Sequence, residues 1–278
     1  METNTTELPL TLEERWQRAT LADNFLFYKI MTENPDVCRE LLEILLGIRI
    51  ERLEQPVAEK NVKVDYDAKG IRFDVYAKDG GRCFDIEMQT TTHRNLAKRA
   101  RYYQGLIDVD TLKVGDTYSA LRDSYVIFLC LGDPVGRGLP VYTFETFCRE
   151  DRYIELGDRS YKVFFNAEKY AIMASKEQKS FFKFLCGGVS ETAFTERLGG
   201  MIERAKHNAQ WRQQFMTWEM ALKEEGEEKW QEGWNKGVLE TARNFLSLRI
   251  APEIVAQGTG LSLEQVEQLR RELSAVKA

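Results

Sequence analysis

The stretch RFDVYAKDGGRCFDIEMQT occupies residues 72–90 and decides how the chain is read. Two runs of alternating apolar and polar residues flank Gly80 and Gly81, a β-hairpin pattern. Side chains alternate between the two faces of a strand. Ile71, Phe73 and Val75 therefore share one face of the first arm, and Arg72, Asp74 and Tyr76 the other. In the second arm Phe84, Ile86 and Met88 share a face, opposite Cys83, Asp85, Glu87 and Gln89. The apolar sets must meet one core, so the acids gather on the other side. A Gly80-Gly81 turn pairs Asp79 with Arg82 and sets Asp74 opposite Glu87. An Asp79-Gly80 turn instead pairs Asp74 with Asp85 and leaves Glu87 one diagonal step away. Directly opposed Cβ atoms lie roughly 4.5–5.5 Å apart.

Two carboxylates at that separation repel, and a divalent cation between them removes the cost. Oxygen donors suit Mg2+, with Mn2+ as the alternative. Asp74 and Glu87 are the candidate ligands, joined by the backbone carbonyl of Met88. Asp85 is a candidate auxiliary ligand on the same face. Gln89, two residues beyond Glu87, can position water or a phosphate oxygen. The alternative reading is a solvated polar face of an ordinary hairpin.

The next segment, THRNLAKRARYYQGL (residues 92–106), contains no acid. Its spacing predicts a helix over about 92–108 that buries Leu96, Ala97, Ala100, Tyr103 and Ile107. Arg94, Lys98 and Arg101 share its exposed face. With Arg99 they are candidate DNA-backbone contacts beside an acidic centre. Tyr102 is a candidate stacking residue, and Gln104 a candidate for the edge of the site. Asp108 and Asp110 read as helix-end acids.

Further out, residues 11–47 are helical by pattern, with Gly47 as a stop, and VKVDYDA (62–68) reads as a strand. Ser124 to Gly132 is apolar on both sides and suits a strand covered on both faces. GLPVYTFETFCRE (138–150) and SYKVFFNAE (160–168) read as strands at the sheet edge. Helix, three strands, helix and strand in that order imply a mixed sheet covered by helices. The expected division is a core over 11–168, a helical region packing on it over 169–225, and a charged helical tail over 226–278. In the tail, Pro252 suits a helix start and Ser262 an N-cap. The tail reads as a helix-turn-helix-like hairpin, and its balanced charges favour interaction or homo-oligomerisation over DNA reading.

The chain has 278 residues, 43% hydrophobic and 30% charged, with a net charge of -5. That composition is globular, and the charge argues against passive coating of nucleic acid while leaving a nuclease open. Five scattered cysteines without CxxC spacing suggest reduced thiols rather than a zinc site. No secretory signal or membrane-spanning run is visible, so a cytoplasmic location with no membrane partner is expected.

At the residues FDVYA (Asp74), DIEMQ (Glu87, Gln89) and KRARYYQ (Arg99, Tyr102, Tyr103), the sequence resembles the PD-(D/E)XK nuclease superfamily. It resembles more closely the bacterial family of recombination-promoting nucleases and transposases. LADNFLFYKIM near the start and TGLSLEQVEQL near the end fit the same pattern. The resemblance implies a restriction-endonuclease-like α/β fold with a C-terminal helical extension. It also implies a Mg2+-dependent DNA endonuclease linked to recombination or transposition-like DNA mobility. Asp74 and Glu87 then take the metal-ligand positions, and Gln89 takes the place of the superfamily lysine. Phe73 replaces the proline of its name. An early-helix acid often completes such sites, and Glu40, Glu43 and Asp23 are the candidates. The alternative is a catalytically weak or inactive DNA-binding or assembly module that keeps the fold.

Overall fold

The computed structural model describes residues 10–62, 71–91 and 95–275. The chain divides into two compact units, residues 1–213 and 214–278.

Three helices open the first unit: α1 (Leu12–Arg18), α2 (Asn24–Glu33) and α3 (Pro35–Leu46). Each has a local cause. Thr11 and Glu14 form a capping box at α1, and the Asp23 carboxylate caps the backbone of Phe25 and Leu26 at α2. Pro35 starts α3, and Gly47 ends it with a left-handed φ of 65°. Then come β1 (Val57–Val62), β2 (Ile71–Asp79), β3 (Arg82–Gln89), α4 (Leu96–Thr111) and β4 (Asp123–Cys130). β5 (Val141–Phe144), β6 (Ser160–Asn166), α5 (Lys176–Leu185) and α6 (Ala193–Lys206) follow.

The strands form one mixed six-stranded sheet in the order β1-β2-β3-β4-β6-β5. β1–β2 and β2–β3 are antiparallel, β3–β4 and β4–β6 are parallel, and β5 closes the edge antiparallel to β6. The parallel step after β3 needs a crossover, which α4 supplies. With its helical layers, this is a restriction-endonuclease-like α/β fold.

Three expectations change. Residues 63–68 of the expected strand VKVDYDA lie outside the described residues, and β1 starts upstream at Val57. β6 lies inside the sheet, because parallel pairing with β4 takes one of its edges and β5 the other. β3 is no half-solvated arm: it is buried from Cys83 to Gln89, between β2 and β4 and under α4.

The α4 face of the sheet is an apolar cluster that includes Phe73, Tyr76, Cys83, Val126 and Phe128 under Leu96, Ala100, Tyr103 and Ile107. Gln104 and Leu106 join the buried stripe of α4, and Ala97 is exposed instead. A stacked ladder, Phe84–Tyr125–Tyr161, runs across β3, β4 and β6.

The far end of α4 is tied to the sheet by charge. Asp110 accepts hydrogen bonds from Lys60, from Lys78 at 3.2 Å and from the Tyr76 hydroxyl at 3.3 Å. Burial acts to raise the Asp110 carboxyl, but Lys60 and Lys78 outweigh it and hold it below the usual carboxylate range. Asp110→Ala strips three donors of their acceptor and is expected to cost about 1–3 kcal/mol in urea denaturation at neutral pH. A depressed folded pKa stabilises only while the group is ionised. The difference from wild type should therefore fade below the ordinary aspartate value of 3.8.

The second unit contains most of α7 (Ala209–Ser247), with α8 (Pro252–Thr259) and α9 (Leu263–Ala275). Ala242, Val255, Val266 and Leu269 form its small core. Pro252 starts α8, Gly260 caps its end at a φ of 75°, and the Ser262 hydroxyl accepts from the Gln265 N–H before α9.

Candidate active site

The hairpin turns at Gly80-Gly81, with Asp79 paired to Arg82 and Val75 to Ile86. This is the register that sets Asp74 opposite Glu87. The backbone ladder stops at Val75, and side chains take over. Glu87 Oε1 accepts the Asp74 N–H at 3.0 Å, and Asp74 Oδ2 accepts the Met88 N–H at 3.0 Å. Strict alternation along β2 breaks here too. Phe73 stacks on Tyr76 at 5.2 Å and meets Tyr103 edge-on, so both rings lie under α4. Across β1, the pairs Ala58–Val75 and Lys60–Phe73 leave Glu59 opposite Asp74, and Glu59 has a φ of 50°. A non-glycine residue with positive φ is uncommon and clusters at functional sites.

Asp85 and Glu87 are fully buried, Gln89 is 6% exposed, and Asp74 is partly exposed. Burial first, then the Asp74 charge, pushes the Glu87 carboxyl up to about 8 despite the opposing pull of Arg99. Burial and the charges of Glu87 and Asp74 raise Asp85 as well. Both Asp85 oxygens lack a hydrogen-bond partner.

Among the described residues, the cation facing these acids is Arg99. Its guanidinium pairs with Glu87 Oε2, donates to Gln89 Oε1 at 2.9 Å, and donates through Nε to the Tyr103 hydroxyl at 2.9 Å. It also lies over the rings of Tyr103 and Phe128. Gln89 turns its amide N–H to the Thr91 carbonyl at 2.6 Å. Arg99 thus points inward, while Lys98, Arg101 and Tyr102 are exposed on α4. Arg94 lies outside the described residues.

The remaining candidates are held elsewhere. Gln104 is buried and donates to Ser124 at the start of β4, near the turn end of the hairpin, so it does not reach the acids. Glu40 pairs with Arg197 of α6, Glu43 accepts from Arg39 and the Ile50 N–H, and Asp23 caps α2. Sequence reasoning missed Glu59 and the grip of Tyr103 on Arg99. The i, i+4 spacing of Arg99 and Tyr103 was the available signal.

Among the described residues, no group of three or more His, Cys, Asp or Glu is poised as a ready metal cage. Mg2+ does not need one: it commonly keeps several waters and takes one or two carboxylates. The donors here are hard oxygens, and the unpartnered Asp85 oxygens mark an excess of negative charge that a divalent cation would offset. Hard oxygen donors of this kind fit such an ion.

Residues 23–133 match the family model described as PD-(D/E)XK nuclease family transposase. Searches of curated proteins and of solved structures gave no match. The matched segment runs from the α2 cap through the acidic hairpin and α4 to the loop after β4, and so contains the whole acidic centre. By that match, residues 23–133 are similar to the PD-(D/E)XK nuclease family transposases.

Proposed function

We propose that the protein is a Mg2+-dependent DNA endonuclease acting in recombination or transposition-like DNA mobility, in the cytoplasm. The observation that carries this reading is the acidic centre: Asp74 and Glu87 opposed across the hairpin, with Asp85 buried beside them and Arg99 as the facing cation. Asp74, Glu87 and the Met88 carbonyl would hold the metal. When bound, the divalent cation supplies Lewis-acid charge at the scissile phosphate. Arg99 orients Glu87 and Gln89 through its fork of hydrogen bonds. Gln89, with its carbonyl oxygen on Arg99 and one amide N–H on the Thr91 carbonyl, orients water through its second N–H. Lys98, Arg101, Arg94 and Tyr102 hold the DNA backbone.

A second reading has its own support. Arg99 already occupies Glu87 Oε2, and a neutral glutamine stands where the superfamily has lysine. Both features suit a weak or idle module that binds DNA without cutting it.

Supercoiled-plasmid nicking separates the two. Wild type is expected to nick in Mg2+ or Mn2+, to stop in chelator, and to lose activity in Asp74→Ala and Glu87→Ala. Unchanged nicking in both variants removes the site assignment. DNA binding without cleavage in either metal favours the second reading.

A further inference from the structure

Helix α7 carries Gly226, Trp230, Gly233, Trp234 and Gly237 at three- and four-residue spacings, which align them along one stripe. Trp230 and Trp234 stack at 5.6 Å yet are 65% and 59% exposed. A groove of about 640 Å³ runs beside them, bounded by Gly237 and Val238 and by Gly258 and Thr259 of α8. Glycine inside a helix is destabilising. A Cβ added at Gly226, Gly233 or Gly237 would meet nothing within 4 Å, so no contact within the chain requires glycine there. The stripe has the form of a contact surface whose other half is missing.

We propose that this stripe docks the same stripe of a second copy of the chain, with the two α7 helices antiparallel. Charge selects the occupant and its direction. Residues 224–232 carry Glu224, Glu225, Glu227, Glu228 and Glu232 against Lys229, a net of -4. Residues 235–243, which an antiparallel pair centred between Gly233 and Trp234 sets opposite 224–232, carry Lys236 and Arg243 against Glu240, a net of +1. A parallel pair would lay the acidic stretch on its own copy. An antiparallel pair lays acidic on basic. Centred between Gly233 and Trp234, it also sets Trp230 opposite Gly237 and Trp234 opposite Gly233, a large ring over a bare backbone each time. Stacking of nucleic-acid bases on the two indoles is opposed by the same glutamates. The proposal does not depend on the nuclease reading.

Sedimentation velocity and light scattering on the full chain across a concentration series test it. Wild type is expected to reach dimer mass. Trp230→Ala/Trp234→Ala should weaken self-association at least tenfold with far-UV circular dichroism retained. Gly237→Leu favours the isolated helix but fills the space the partner's Trp230 takes, and should weaken the dimer similarly. Raising salt from about 0.05 to 0.5 M should weaken it further by screening. A wild type that stays monomeric at about 100 μM, far above ordinary dimer affinities, overturns the proposal. A dimer indifferent to both variants also overturns it, and one strengthened by salt overturns the antiparallel arrangement.

Discussion

Asp74→Asn is expected to lower plasmid nicking in Mg2+ by about 10²–10³-fold, the size of loss when one preorganised electrostatic group leaves an active site. The substitution is nearly isosteric. Its amide oxygen can still accept the Met88 N–H that Asp74 Oδ2 accepts at 3.0 Å, so the end of the β2–β3 ladder survives. The charge is what disappears. Asp74 is a source of the repulsion that raises Glu87 and Asp85, so the melting temperature should hold or rise slightly as activity falls. That opposition separates loss of chemistry from loss of fold. Nicking within threefold of wild type, with the fold intact, would remove Asp74 from the metal-holding role.

Asp85→Asn should stabilise the metal-free protein at alkaline pH and do little in acid. A glutamate in the unfolded chain gives up its proton near 4.5, whereas Glu87 in the fold holds its proton up to about 8. Between those values the native state binds more protons than the unfolded chain, so stability falls as pH rises. Asp85 acts in the same direction, because burial and the neighbouring acids raise it too. The asparagine cannot ionise, and it relieves Glu87 of one neighbouring charge. At pH 8 the gain should be on the order of 1–2 kcal/mol, or about 2–8 °C in melting temperature for a unit of this size. Below the ordinary aspartate value of 3.8 the two curves should converge. Thermal melts in chelator across that range check this, and a variant that parallels wild type throughout would show that Asp85 carries no ionisation cost.

Much of this was legible in the residues themselves. The Gly-Gly turn and period-two alternation specify the hairpin, and Pro35, Gly47, Pro252 and Ser262 mark helix ends because capping is local backbone chemistry. Asp74, Glu87 and the basic α4 segment stand out because acids on a strand and an acid-free run of cations are patterns in one dimension. The sequence left two turn registers open, and tertiary pairing selected Asp79 with Arg82.

Other features depend on groups distant in the chain. The burial of β3 comes from its place between β2 and β4, inside a sheet covered by helices, which no strand announces by itself. Arg99 looks like its neighbours Lys98 and Arg101 in sequence, but the helix rotation fixed by packing Leu96, Ala100 and Tyr103 turns it onto Glu87. Gln104 is drawn to Ser124 for the same reason. The sequence determined the hairpin, the acids and the cations. Only the packed sheet decided which cation meets which acid, because that depends on how one helix rolls against strands paired across the chain.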